Sequence, residues 1–554
     1  MIAEKSGVAH KYFTGAISRL SLIELVVIAV MALPTFALAW LALGNFGTEG
    51  GLFSRMLPVA LRETGLLLLL VGLFAGAIGM VSAWLVSTFE FPGRRLFEWA
   101  LILPLAIPTY ISAYAWVEVM DFTGPLQSFI RALTGAKTVK EYWFPDFRTI
   151  GGGAFVMSLV LYPYVYLSCR AFFLMQSGAM AAASRTLGAG PWRTFKDVTL
   201  PLARPAIIVG VSLALMEVIN DVGAVEFFGV NTMTAIVYAT WLNQSNLPGA
   251  AQLAVTAVLL IAGLIWLEQH ERRKLSYLNK RDSRVPPPRT KLRAAHAIWV
   301  SLFCAAIVGL GFVVPVLELL STAIVRFMRG AVDGEILEAL WTTVWLALIG
   351  ALICVAVGYF TARRMVNADG SRNLSYLATF GYAVPGTILA IGIVVPLGFL
   401  DGVINDATRA WFGVTVGLVL SGSPIAIIYA YSVRFLTVSH NSLESAMKKR
   451  GTSLMEAAHV LGANRWRTLI EVDLPTLRPA LVAALTLVFV ECIKELPATL
   501  LLRPLGLETL ATFVYAEASL ENFESAAVPA LLIIFIALVP AVLGGKLQGS
   551  EREG

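Results

Sequence analysis

Apolar runs long enough to cross a hydrocarbon layer of ~30 Å, at about 1.5 Å per helical residue, recur about twelve times along the 554 residues. They lie near 20–43, 62–88, 97–120, 151–175, 205–229, 249–267, 297–324, 337–362, 374–399, 412–436, 479–502 and 525–545. Backbone N–H and C=O groups find no water in hydrocarbon, so segments of this length must satisfy them internally, as helices. The expected fold class is therefore all-α, a polytopic membrane protein of about twelve transmembrane helices. Composition enters at one point: with 57% hydrophobic and 14% charged residues there is too little polar side chain to clothe a soluble globule. The net charge of +6 does not indicate a nucleic-acid partner, because the basic residues gather in short segments beside apolar runs, where membrane topology explains them. The first run follows Lys5, Lys11 and Arg19 and is long for a signal peptide, so it reads as an uncleaved anchor.

Between the apolar runs one polar stretch occurs twice. Residues 182–207 read AASRTLGAGPWRTFKDVTLPLARPAI and residues 456–481 read EAAHVLGANRWRTLIEVDLPTLRPAL. The shared positions include Gly188 and Gly462, Trp192 and Trp466, Leu200 and Leu474, and Pro201 and Pro475. Glu456, Ala457 and Ala458 open a short helix that the glycine ends, since a residue without Cβ tolerates the left-handed conformation; a second helical turn follows, and Leu-Pro opens the next long helix. A loop that merely joined two spans would have no reason to repeat these offsets.

The pattern of Glu-Ala-Ala, three residues, Gly, and about a dozen residues to Leu-Pro resembles the coupling loop of ABC importer permeases. The match is fuller in the second copy; the first has Ala182 in place of the Glu and Ala183 at the first Ala. The resemblance implies a type I ABC importer permease fold, in which these loops dock on a separate ATPase. The ATPase-coupling residues it implies are Ala183, Gly188, Trp192, Leu200 and Pro201 in one loop and Glu456, Ala457, Ala458, Gly462, Trp466, Leu474 and Pro475 in the other.

Domain organisation follows from the repeat. With the N-terminus inside, the loops 89–96, 176–204, 268–296, 363–373 and 437–478 and the C-terminus are cytoplasmic and together carry most of the Lys and Arg residues, as the positive-inside rule requires. The expected divisions are a cytoplasmic segment 1–19, a first permease half 20–267, a Pro-rich linker 268–296 with Pro286, Pro287 and Pro288, a second half 297–545, and a cytoplasmic tail 546–554. Six intervening spans put the duplicate loops on the same side, so the halves are parallel repeats about an axis along the membrane normal. The segment Pro104 to Thr109 has a counterpart in Gly381 to Gly386. Outside, residues 121–150 carry Asp121, Glu141, Asp146, Tyr142, Trp143 and Phe144, an expected interfacial element, and 503–524 carries four glutamates. Neither is large enough to capture a substrate, so capture falls to a separate protein.

Charges at mid-depth cost roughly 2.5–3.5 kcal/mol each, so those present need a reason. Glu217 and Glu491 lie twelve residues beyond Pro205 and Pro479, with Asp221 and Glu495 four residues further on. In an unbroken helix this spacing puts both acids of each pair on one face, where they would line a translocation path together with Lys494, the one basic partner evident nearby. An excess of negative charge repels sulfate or molybdate and attracts a cation, and Glu217, Asp221, Glu491 and Glu495 are hard oxygen donors that could ligate a metal ion in transit; no resident metal site is expected. The alternative is that Glu491 pairs with Lys494 while the remaining acids are protonated or cap helices broken at Gly223 and Pro497, just after each pair. Cys169, Cys304, Cys354 and Cys492 lie apart in apolar segments and the five histidines are scattered, so neither set forms a site.

The stretch from Val490 to Pro504, with MEVINDVGAVEFFGV at 216–230, resembles fused ferric-iron ABC permeases over nearly the whole chain. That resemblance implies ferric iron delivered by a periplasmic binding protein, and two ABC ATPase subunits, a homodimer, gripping the loops. Related fused permeases carry thiamine, polyamines or phosphonates, and an aromatic box from Tyr110, Tyr114 and Trp116 would favour an organic cation. A proton-coupled secondary transporter is the rival from another class. No nucleotide site is present: Gly544-Gly545-Lys546 is followed by Leu547 rather than Ser or Thr, so ATP and Mg belong to the partner and the chain itself is not an enzyme and binds no cofactor.

Overall fold

A computed structural model describes residues 22–44, 50–175, 188, 190–279, 289–329, 334–367, 384–450 and 453–550. The expected N-terminal segment, Ala183, the three linker prolines and Gly381 to Ala383 lie outside the described residues. The all-α expectation holds: among the described residues the only strand is a two-residue parallel ladder, Phe89 with Thr290 and Glu90 with Lys291.

Among the described residues eight helices are long and apolar enough to cross a membrane, or nine if a bent pair is one span. The difference from twelve straight spans has local causes. The run expected over 97–120 is broken at Pro108, where helix Arg94–Ala106 meets Thr109–Thr134 at 93°. The run expected over 412–436 begins as a non-helical segment and becomes helix only at Pro424–Arg450, which is too polar to count by composition. The runs at the two ends of the chain are helical, Leu22–Gly44 and Phe523–Ser550. The linker is partly helix, since Leu247–Asn279 continues well past the apolar run.

The chain divides into two compact units that do not follow the expected halves. One is Met1–Phe46 with Gly334–Thr512; the other is Gly47–Asp333 with Phe513–Gly554. The first span of each sequence half thus packs in the unit built from the other half. In the first unit, helix Leu22–Gly44 lies on helix Gly386–Phe412. Pro34 inside the former lacks an N–H, leaving the Val30 carbonyl without its helical donor, and the Tyr429 hydroxyl donates to it instead. Gly392 makes the approach feasible: a Cβ there would come within 2.8 Å of the Pro34 carbonyl carbon.

Each unit contains the same three-helix packing. Gly50–Thr88, Ile150–Met175 and Leu200–Asn220 pack on one another, as do Gly334–Asn367, Pro424–Arg450 and Leu474–Lys494. Helices of uniformly apolar surface gain from close backbone approach, which small residues permit. Gly79 would place a Cβ 2.6 Å from Val165 Cβ and Gly210 one 2.6 Å from Val165 Cα; in the other unit Gly350 sits against Tyr431, and Gly358 against Ser439.

Candidate functional site

Where they are described, the duplicated stretches share one conformation, an elbow in which a left-handed glycine is followed by a helical turn. In the second, helix Ser453–Val460 ends at Gly462, whose φ of +83° lets the Leu461 and Ala463 amides turn back to the Ala457 and Ala458 carbonyls at 3.0 Å. Asn464 then starts the next turn, its Oδ1 accepting from the Arg467 amide at 2.8 Å. In the first elbow Gly188 has φ of +82° and helix Pro191–Thr194 follows.

Both elbows then contain a five-residue π segment, Phe195–Thr199 and Leu469–Asp473, directly ahead of Leu-Pro. This corrects the expectation that Leu-Pro opens a separate helix: the helix runs through, and the wide turn makes room for a ring that would clash with the carbonyl four residues back. The same widening, Gly309–Val313, precedes Pro315.

The elbows present apolar groups outward. Trp192 is 69% exposed and Trp466 72%, while Val460 and Leu461 are 88% and 86% exposed. Glu456, Ala457, Leu474 and Pro475 are exposed, Leu200 and Pro201 half-buried, and Ala458 packs inward. Bulky side chains bared around a left-handed glycine are the anatomy of a contact surface.

Further along, both long helices stop at the expected acids. Helix Leu200–Asn220 ends at Asp221 with ψ of 115° and helix Leu474–Lys494 at Glu495, also with ψ of 115°. The expectation that each pair shares one helix face therefore fails at its second member: only Glu217 and Glu491 are on the helix body, half-buried, with Lys494 half-buried as the last residue of its helix. Asp221 and Glu495 instead cap the short helices Gly223–Phe227 and Pro497–Leu502. Asp221 Oδ1 accepts from the Ala224 amide at 2.8 Å, and Glu495 accepts from the Ala498 and Thr499 amides at 3.0 and 2.9 Å.

The two caps are completed differently. Asp221 also accepts from the Thr109 hydroxyl. Glu495 accepts from the Thr499 hydroxyl at 2.7 Å and pairs with Arg434 at 3.1 Å, both charges being buried. Arg434 corrects the reading of Lys494 as the one basic partner nearby; it lies near the end of an expected span, and no pattern in the sequence connects it to Glu495. Thr109 and Gly386 begin corresponding helices, each after a proline with nearly the same conformation, φ of −54° and −53°. Where one unit uses a threonine hydroxyl, the other uses a glycine, because a Cβ at 386 would collide with both Arg434 and Glu495.

Among the described residues no group of three or more His, Cys, Asp or Glu side chains could hold a metal ion. Tyr110, Tyr114 and Trp116 are buried packing residues: Tyr114 stacks on Phe523 at 5.9 Å and Trp116 meets Phe155 edge-on at 5.3 Å. Of the acids expected outside, Glu521 pairs with Arg148 at 3.1 Å and Glu524 with Arg329 at 2.7 Å.

Residues 75–276 and 354–548 each match the family described as binding-protein-dependent transport system inner membrane component. The chain is 26% identical over 502 residues, 89% of its length and 90% of the relative's, to the Fe(3+)-transport system permease protein FbpB 2 of Haemophilus influenzae. It is 26% identical over 213 residues, 38% of its length and 73% of the relative's, to the sulfate transport system permease protein CysT of Escherichia coli. To the molybdenum transport system permease protein ModB of Escherichia coli it is 32% identical over 216 residues, 36% of its length and 89% of the relative's.

Proposed function

Because the chain belongs to the family of binding-protein-dependent transport system inner membrane components, and is a multi-pass inner-membrane permease subunit of an ABC importer, we propose that its cargo is ferric iron. One observation carries the proposal: the iron permease matches across 89% of this chain, through both repeats, whereas the sulfate and molybdenum permeases match 38% and 36% of it. Glu217 and Glu491, in the last turns of their helices, support a cation over an oxyanion, since carboxylates repel sulfate and molybdate.

In this reading a periplasmic binding protein hands iron to the outer face, and two identical ATPase subunits dock on the elbows around Gly188 and Gly462. The exposed Trp192, Trp466, Val460 and Leu461 supply the apolar contact, with Glu456 to Ala458 in the docking helix of the second elbow; Ala183, outside the described residues, is the position in the first elbow that corresponds to Ala457 in the sequence. ATP and Mg are bound and hydrolysed by those partners. The elbows and both chain termini face the cytoplasm; the functional halves are 20–267 and 297–545, joined by 268–296 with 546–554 as tail. Glu217, Glu491 and Lys494 line the path, while Asp221 and Glu495 set the breaks that shape it.

The test is uptake into proteoliposomes containing the permease, its ATPase and its binding protein. ATP-dependent accumulation of radiolabelled ferric iron, uncompeted by sulfate or molybdate, is expected; competition by either oxyanion refutes the cargo.

A further inference from the structure

Resting on the reading of the elbows as ATPase docking sites, we propose that Asp473 is the positioning residue that passes movement of the second elbow to the membrane helices, and that the first elbow works without such a latch. Asp473 is the last residue of the π segment at the root of the second elbow and is fully buried. Its Oδ1 pairs with Arg450, and its Oδ2 takes a hydrogen bond from the Tyr359 hydroxyl at 2.6 Å and pairs with Arg363 at 3.4 Å. Arg363 Nη1 in turn donates to Tyr359 at 3.2 Å.

These partners sit at decisive places. Arg450 ends helix Pro424–Arg450 immediately before the elbow, so its pairing with Asp473 closes the elbow at the base. The same guanidinium reaches Thr476 Oγ1 at 2.9 Å and Met455 Sδ at 3.6 Å, tying the next helix and the docking helix to one charge. Tyr359 and Arg363 belong to helix Gly334–Asn367, and Tyr359 packs with Leu443, Met447 and Leu477 in a buried cluster. A carboxylate with no solvent to fall back on gives up such partners only at high cost, so the elbow and three helices move as one body.

The first elbow has Thr199 where the second has Asp473. Among the described residues the Thr199 hydroxyl donates to Thr194 O, at 3.4 Å. Its root is held by rings instead: Phe195 lies against Trp84 of helix Gly50–Thr88 at 4.3 Å and against Trp192 at 5.5 Å. Among the described residues the ion pair of this elbow is Arg193 with Asp197, exposed on its surface. Ring contacts can slide where a buried ion pair cannot, so the two elbows deliver the motor's stroke unequally.

The experiment uses the full chain with its ATPase in proteoliposomes, comparing Asp473→Thr, which installs the first elbow's residue, with Asp473→Glu and Arg363→Gln. Three quantities are read: ATPase retained on purification, ATP hydrolysis stimulated by the iron-loaded binding protein, and ferric iron taken up per ATP. For Asp473→Thr, retention stays at the wild-type level while uptake per ATP falls about tenfold, within the usual range of coupling between sites. Asp473→Glu recovers most of it. Arg363→Gln leaves the Arg450 pair in place, so it keeps the fold if Asp473→Thr does not, and shows a smaller loss of the same kind. Unchanged uptake per ATP in folded Asp473→Thr or Arg363→Gln overturns the latch, as does loss of ATPase retention, which would make Asp473 part of the docking surface. Failure of the wild-type chain to retain an ATPase overturns the docking reading instead.

Discussion

Gly386 offers the sharpest test of how the helix breaks are built. An alanine there would put a Cβ 2.7 Å from Glu495 Oε1 and 3.0 Å from the Ala498 amide, and closer still to Arg434 Nη1. None of these atoms is the loose end of a surface chain: Arg434 and Glu495 are buried, and the amide is backbone held by the cap. If Arg434 is driven off, Glu495 is left as a buried unpaired charge, at about 3–5 kcal/mol. Alanine returns up to ~1 kcal/mol of helix propensity, for a net loss of about 2–4 kcal/mol. The two buried cysteines of this unit report it, since a fluorogenic maleimide reaches Cys354 and Cys492 only when the unit opens. Reaction at fixed temperature should speed up by roughly two orders of magnitude, from about 1.4 kcal/mol per tenfold. Adding Gly386→Ala to the Arg434→Met, Glu495→Gln background should cost less than half as much, because the colliding pair is gone. A reaction rate within about twofold of wild type for the single variant would show that the cradle does not require glycine.

Gly462→Trp should leave insertion intact while abolishing stimulation of ATP hydrolysis by the loaded binding protein, because φ of +83° suits no bulky residue and the site is exposed; wild-type transport would remove the docking hypothesis. Glu217→Gln with Glu491→Gln should lower cation uptake at least roughly 30-fold without releasing the ATPase, since each lost charge weakens the site by ~1 kcal/mol even at the dielectric of bulk water; unchanged uptake would make these acids packing residues. Gly392→Leu should push helix Leu22–Gly44 off its seat, seen as protease cleavage ahead of helix Gly50–Thr88; equal resistance to cleavage would show that Pro34 does not rest there.

The helical class, the duplicated elbows and the breaks at Gly223 and Pro497 were legible because each depends on local chemistry: apolar length, a left-handed glycine, a residue that cannot continue a helix. What could not be read depended on distant pairings. For Asp221 and Glu495 the sequence left two readings open, a shared helix face and caps on broken helices, and the second holds because backbone amides three and four residues on claim them. Arg434, 61 residues from Glu495, and Asp473, 114 from Tyr359, have partners fixed only by packing. The exchange of first spans between sequence halves was hidden for a similar reason: apolar runs of uniform composition do not encode which neighbour they choose.

The account stands most directly on uptake measured in proteoliposomes with the ATPase subunits present or withheld. It predicts that radiolabelled ferric iron accumulates only with ATPase, ATP and loaded binding protein together, and that a proton gradient alone moves none. Uptake driven by the gradient in vesicles without the ATPase would contradict it.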